Sequence, residues 1–185
     1  LRRQRQMCIR DRLTLSKIDY GKMEMNISRF SFAKAISNVY EAARLNAEQN
    51  HHHTMVFHCE DNIPDVLGDR ERIEQVVMNI VSNAIKYTPE HSRIELFAAP
   101  EGKFVRICVT DDGPGIPEES RDKLFDMFYT LGKTRSDGRR GLGLGLALCR
   151  SIVAAHGGVI DVQNAAPHGA CFRFTLPRTE VTLYE

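Results

Sequence analysis

No apolar run in these 185 residues approaches the roughly 20 that a bilayer-spanning helix needs. The amino-terminal Leu1-Arg2-Arg3-Gln4-Arg5-Gln6 does not lead into the apolar stretch of a secretory leader either. Both absences predict a segment that is not itself membrane-inserted, and leave a longer, membrane-anchored parent open. An excess of charge of one sign is also missing. Lys and Arg number 25 against 24 Asp and Glu, a net +1, without the basic footprint of a nucleic-acid binder. There is no Cys-x-x-Cys pair. The five cysteines (Cys8, Cys59, Cys108, Cys149, Cys171) are an odd number and widely scattered, which argues against a disulfide framework and a zinc site, and for a reducing cytoplasm. The last four lie in apolar stretches, where a free thiol packs as a small hydrophobe. No internal repeat is visible.

What is present is ordinary globular material: 42% hydrophobic and 26% charged residues, enough for one domain with a core and a short appendage. Residues 1–12 match the rest poorly and are set apart as a non-native or disordered segment. Leu13, Leu15, Ile18 and Met23 recur at nearly helical spacing until Gly21 interrupts, so 13–26 reads as the tail of a preceding helix. Ile27, Phe30 and Phe32 suggest a short strand, and 33–49 a helix with Ala35, Ile36, Val39, Tyr40, Ala43 and Ala47 on one side. His51-His52-His53 reads as a solvated loop in preference to a metal site.

A strand is expected over 54–59, then turn material from Asp61 to Asp65. Asp69 caps a helix that runs to Tyr87 and stops before Pro89. Strands at 93–98 and 104–110 are joined through Pro100-Glu101-Gly102, and a short helix follows near 118–124. Residues 131–140 hold few apolar anchors and read as a mobile stretch. A helix over 144–156 ends at Gly157-Gly158, and strands at 159–163 and 170–176 close the domain, with 179–185 as a tail. Helices gathered with a hairpin-rich sheet give an α+β two-layer sandwich, its sheet mixed and mostly antiparallel.

Three segments carry chemistry. In the helix from Asp69 to Tyr87, Gln75, Asn79, Asn83 and Lys86 fall three or four apart, so their side chains share a face. Amide oxygens there suit Mg²⁺, which keeps water and phosphate oxygens beside one or two protein groups, and Lys86 suits a phosphate. The same residues would equally make a solvated polar face. Asp111 ends a strand before Gly113-Pro114-Gly115, where a carboxylate accepts from an adenine amino group and glycines let backbone approach the base. Taken alone, that is also a plain turn.

Gly141-Leu142-Gly143-Leu144-Gly145 opens into a helix whose free N–H groups favour an anion, with Lys133, Arg139 and Arg140 beside it. It is not a dinucleotide fingerprint, since it follows a polar loop and lacks a βαβ context. Nor is Gly132-Lys133-Thr134 the end of a P-loop, because Met127 stands where the first glycine belongs.

Together, in this order, the segments resemble the catalytic ATP-binding domain of bacterial sensor histidine kinases, within the ATPase family shared with gyrase, Hsp90 and MutL. The resemblance covers about residues 14–178: an N box at 75–88, a first glycine box at 111–115, a phenylalanine box at 123–128, a second glycine box at 141–145 and a closing strand motif at 169–176. It implies the Bergerat-type ATP-binding fold over 27–178, with 13–26 the end of a dimerisation and phosphoacceptor helix. It also implies ATP and Mg²⁺ as cofactors. Asn83 would bind Mg²⁺ with Asn79 assisting, and these two with Lys86 form the catalytic set. Lys86 would meet phosphate and Tyr87 would border the nucleotide. Asp111 would take the adenine amino group, with Gly113, Gly115 and Ile116 shaping the pocket. Phe125 and Phe128 would anchor a lid. Lys133, Arg139, Arg140, Gly141, Leu142, Gly143, Leu144 and Gly145 would face the phosphates, and Thr175 in the closing motif would complete the nucleotide-binding positions.

The runs around 139–149 and 168–177 look most like Kdp-type, potassium-responsive kinases. Ala170 stands where many relatives carry a hydroxyl residue. None of the seven histidines has the His-Glu/Asp-x-x-x-Pro context of the family's phosphorylated histidine. The acceptor is therefore expected on an upstream dimerisation domain, in a homodimeric, membrane-anchored parent that passes phosphate to a response regulator. Three rivals remain: a degenerate nucleotide-sensing module, a hydrolytic ATPase of the gyrase or Hsp90 type, and an anti-sigma-type serine kinase.

Overall fold

In the computed structural model of the chain, the structure describes residues 24–131 and 143–178. The expectations for the amino-terminal helix tail, for the stretch 132–142 and for the carboxy-terminal tail lie outside them.

The chain opens with β1 (Ser28–Phe30) and turns directly into α1 (Phe32–His51), because the Ser31 Oγ accepts from Lys34 N and fixes a helix start. Phe32 is therefore not a strand residue. It is fully buried at the first helical position. After β2 (Thr54–Cys59) comes β3 (Val66–Gly68), which pairs antiparallel with β1 to make a small two-stranded sheet. This strand was not expected. Its three residues follow turn material and gain their partners from a segment some forty positions upstream and, through a bridge from Val66, from Arg178, and no local pattern reveals that.

Helix α2 (Arg70–Tyr87) begins at its expected cap: Asp69 Oδ1 accepts from Arg72 N at 3.1 Å. The other oxygen, Oδ2, accepts from Asn26 N at 3.0 Å, and Asp69 N donates to His156 Nε2 at 2.9 Å. Since a backbone N–H can only donate, His156 carries its proton on Nδ1, which bonds Ile152 O at 2.7 Å. Ile73, Val76, Val77, Ile80, Val81, Ala84 and Ile85 form the buried stripe of α2. Each fully buried isoleucine among them contributes about 1.5–3 kcal/mol.

Strands β4 (Arg93–Glu101) and β5 (Phe104–Asp111) form a hairpin whose turn is Gly102-Lys103, two residues later than expected. Pro100 continues β4 because β2 pairs only as far as Ala98, so its missing N–H faces no neighbour on that side. After α3 (Glu118–Arg121) and α4 (Gly145–Ala155), strands β6 (Ile160–Asn164) and β7 (Ala170–Pro177) complete a five-stranded sheet in the order β2-β4-β5-β7-β6. Only β2 and β4 run parallel.

Helices α1, α2 and α4 pack beside one another over one face of this sheet. Val105, Ile107, Val109 and Asp111 of β5, with Ala170, Phe172, Phe174 and Leu176 of β7, point to that buried side. Alternation sends Arg106, Cys108, Thr110, Cys171, Arg173 and Thr175 to the outer face. The expected two-layer α+β sandwich is what forms. Among the described residues, no helix is long and apolar enough to cross a membrane.

Candidate nucleotide site

The carboxylate of Asp111 is 8% exposed at the end of β5. Its Oδ1 accepts from Gly113 N at 2.9 Å and from Ala170 N, at the start of β7, at 3.3 Å. Burial pushes its pKa above the usual carboxylate range, and the two backbone donors pull the other way. Both donors bond the same oxygen, and among the described residues none donates to Oδ2. Around it the chain is tightly stitched. A Cβ on Gly113 would lie 2.8 Å from Thr88 Cγ2, so the glycine turn is pressed against the end of α2. Gly115 adopts φ 77, and Asn164 clamps Ile116 by accepting from its N at 2.8 Å and donating to its O at 3.1 Å.

The polar residues of α2 part company. Asn79 is buried, its amide nitrogen directed to Cys149 Sγ of α4 at 3.8 Å, so it belongs to the α2–α4 contact and not to a solvated face. Gln75 lines a groove with Asn38 and Val39 of α1. Asn83 is half-buried, while Lys86 and Tyr87 are exposed at the helix end nearest the glycine turn.

At the other end of the site, Phe128 N donates to Gly143 O at 3.0 Å, and both residues are left-handed, at φ 65 and φ 66. A Cβ on Gly143 would come within 2.7 Å of the Phe128 carbonyl carbon and the Tyr129 oxygen, so only glycine permits this backbone-to-backbone contact. Phe128 projects outward at 67% exposure, whereas Phe125 is buried edge-on against Phe172, 6.3 Å between centroids. The expected aromatic pair thus divides into one core anchor and one exposed ring. Leu144 is buried as the first cap of α4 and offers no side-chain bond to the helix start. Among the described residues, nothing lies within 4 Å of where a Gly145 Cβ would stand, and no side chain caps the first N–H groups of α4. Lys133, Arg139, Arg140, Gly141 and Leu142 lie outside the described residues.

The helix carrying Asn83, the buried carboxylate of Asp111 and the helix start at Gly145 follow in that order along one chain, and residues 68–180 match the model for histidine kinase-, DNA gyrase B-, and HSP90-like ATPases. The chain belongs to that family. The sensor protein KdpD of Clostridium acetobutylicum is 35% identical over 170 residues, which cover 92% of this chain and 19% of KdpD. The catalytic domain of histidine kinase ThkA, solved free of nucleotide, is 34% identical with a TM-score of 0.73, covering 85% of this chain and 97% of that domain. Full-length ShkA in complex with AMPPNP shows 28% identity and a TM-score of 0.77 over 90% of this chain and 34% of ShkA. ThkA has also been solved with the response regulator TrrA, at 29% identity and a TM-score of 0.73 over 94% of this chain and 49% of that one. The chain spans less than half the length of the curated relatives it matches. Within the family it is a catalytic domain of the histidine-kinase kind.

Two expectations for this kinase-type domain are corrected by the structure. Thr175 is not at the site: it lies on β7 opposite Arg106, five positions beyond Ala170 and on the outer face of the sheet, where its Oγ1 accepts from Val159 N at 3.4 Å. Strand alternation puts odd-numbered β7 residues on the face away from Asp111. His53 is not solvated either. It is 2% exposed, with Nε2 at 3.0 Å from Ile85 O and 3.4 Å from Thr88 Oγ1. A carbonyl can only accept, so Nε2 carries the proton and caps the last turn of α2. Thr88 donates its own hydrogen to Ala84 O at 2.7 Å.

Sequence reasoning missed Thr88, Asn164 and the Ala170 backbone. Ala170 looked like a departure from pattern, yet its contribution is an N–H that every residue but proline supplies.

Proposed function

We propose that this domain binds Mg-ATP and donates the γ-phosphate to a histidine on a dimerisation domain of the same kinase. The buried Asp111 carboxylate, with one oxygen held by backbone and the other available, carries this reading. It presents an acceptor to the adenine amino group in a site too dry to tolerate an unpaired charge lightly. ATP binding is supported by the family match and by the AMPPNP complex of ShkA.

Mg²⁺ fits the donor set. Among the described residues, no group of three His, Cys, Asp or Glu side chains could hold a metal. The cation would therefore rest on phosphate oxygens and few protein groups, as Mg²⁺ prefers, with the Asn83 amide oxygen on α2 as ligand and Asn79 behind it. When bound, it would neutralise charge developing on the transferred phosphoryl group. The chain's own part is positioning: Asp111 for the base, and Lys86 and the start of α4 for the phosphates.

Hydrolysis of the gyrase or Hsp90 kind would need a carboxylate base beside the metal amide. Asn79, buried against Cys149, and Gln75, in the groove beside α1, are amides, and Glu74 is engaged with Arg70 at 2.8 Å. Residues 27–178 would be the catalytic unit, joined through 13–26 to the phosphoacceptor helices of a cytoplasmic, homodimeric assembly. The ThkA–TrrA complex supports a response regulator as the onward partner. Similarity to KdpD supports a Kdp-type parent, with any potassium sensing outside these 185 residues.

Calorimetry with a non-hydrolysable ATP analogue, with and without Mg²⁺, tests the site. Mg²⁺ should tighten binding, and Asn83→Ala should remove that gain and abolish transfer to a supplied histidine-bearing domain while leaving adenosine affinity unchanged. Undiminished transfer by Asn83→Ala would remove the metal-ligand role.

A further inference from the structure

On the outer face of the sheet, two cysteines lie on the adjacent strands β5 and β7. Cys108 of β5 pairs across the ladder with Arg173, and Cys171 of β7 pairs with Thr110, so the two thiols are diagonal neighbours on one face. Both are half-buried and free. Arg173 stands beside them, held by Asp161 through contacts of 2.6 and 3.3 Å, and Arg106 flanks Cys108. Cys171 directly follows Ala170, whose N–H bonds Asp111, and Cys108 precedes Asp111 by three residues on the same strand.

We propose that these residues form a peroxide-reactive dithiol, with Cys171 as nucleophile and Cys108 as resolving thiol, whose closure is felt at Asp111. Hydrogen bonds from the Cys108 thiol and the Thr110 hydroxyl, together with the Arg173 charge, hold Cys171 below the ordinary thiol range against the opposing effect of burial. Cys108, the donor of the pair, is pushed up. An electropositive, partly exposed thiolate is the reactive form of cysteine.

The chemistry balances. The Cys171 thiolate attacks one oxygen of a hydroperoxide and the O–O bond breaks. Sulfur is oxidised by two electrons to the sulfenic acid, and the departing alkoxide or hydroxide takes a proton. Cys108 sulfur then attacks Cys171 sulfur, the S–O bond breaks, and the leaving hydroxide departs as water with the proton of Cys108.

Diagonal neighbours on adjacent strands stand about 7–8 Å apart, at or beyond the roughly 6.8 Å between Cα atoms that a disulfide spans. Forming the bond must therefore shift β7 against β5, and the long Ala170–Asp111 hydrogen bond lies one residue away. The expected consequence for nucleotide rests on the reading of Asp111 given above. The thiol chemistry does not.

Two other cysteines serve as internal controls. Cys59 is exposed, with its pKa raised by partial burial and the nearby Asp61, and Cys149 is fully buried. Iodoacetamide at pH 7 on the reduced full chain, read by peptide mass spectrometry, should modify Cys171 about tenfold faster than the more exposed Cys59. Hydrogen peroxide should give a disulfide between 108 and 171 that dithiothreitol reverses. In Cys108→Ser a dimedone adduct should accumulate at 171, and Cys171→Ser should show neither product.

The oxidised protein should bind a non-hydrolysable ATP analogue several-fold more weakly, with Cys171→Ser unaffected by peroxide. Faster labelling of Cys59, or oxidation of all accessible thiols at like rates, overturns the dithiol. A disulfide that leaves nucleotide affinity unchanged overturns its coupling to Asp111. Reduced protein that binds no nucleotide overturns the function proposed above, and the labelling order then decides the dithiol by itself.

Discussion

Asp111 and Gly143 each mark a place where regular structure gives way to glycine, and the two surroundings differ in kind. Asp111 is enclosed: two backbone donors fix one oxygen, Gly113 abuts Thr88, and His53 closes the helix end beyond it. Among the described residues, Gly143 has one backbone partner, Phe128, and leads into a helix start with no side-chain cap. The Asp111 end is therefore specified by packing and by satisfied polar groups. The Gly143 end is held by a pair of left-handed residues and a helix start without a side-chain cap, which under the proposed function would receive the phosphates while the Asp111 end takes the base.

Breaking the enclosed end should have the larger effect. Asp111→Ala removes the acceptor for the base and unpairs Gly113 N and Ala170 N. A hydrogen bond to a charged group is worth about 1.5–3 kcal/mol, so nucleotide affinity should fall about 10–100-fold by calorimetry. The two orphaned donors should also lower Tm. Equal affinity in the variant would mean that the base is recognised elsewhere.

Gly143→Ala attacks the open end. Its Cβ would crowd the Phe128 backbone at a φ that alanine resists, costing about 1–3 kcal/mol. ATP affinity should drop about tenfold, at the low end of that strain. Adenosine affinity should stay within twofold, since the base end is untouched. Equal losses for both ligands would dissolve the distinction between the ends.

The smallest effect concerns protons. Burial raises the pKa of Asp111, so its carboxylate protonates at a higher pH than an exposed one. Protonation replaces an acceptor lone pair by a hydrogen, so adenosine affinity should weaken as pH falls, beginning above the ordinary value of about 3.9. Using adenosine keeps phosphate titration out of the measurement, and Asp111→Asn should abolish the dependence. For stability the sign is opposite. The folded state holds this proton more tightly than the unfolded chain, so through this group stability falls as pH rises from the ordinary value to the raised one.

Elements written in local chemistry were legible from the sequence. Helix α2 has its expected bounds because Asp69 can cap and Pro89 forbids continuation, and β2 has its own because β-branched and aromatic residues run between turns. Asp111, Gly113 and Gly143 announced themselves by residue type.

What stayed hidden was tertiary. β3 exists through β1, and Pro100 extends β4 because β2 stops short. His53 is buried through a carbonyl on another helix. Thr175 was placed by likeness, when counting its parity along β7 from Ala170 would have put it on the wrong face. Asn79 reads as a surface amide until α4 is packed over it.

Asp69 has a consequence beyond capping. Through its two oxygens and its own N–H it ties the incoming chain at Asn26, the first turn of α2 and the far end of α4 to a single residue. These three places cannot open one at a time without leaving a buried polar group unmatched. Their amide protons should therefore exchange as one cooperative unit, with a shared opening free energy. A tug on the chain at residue 26 would then be resisted by two helices at once.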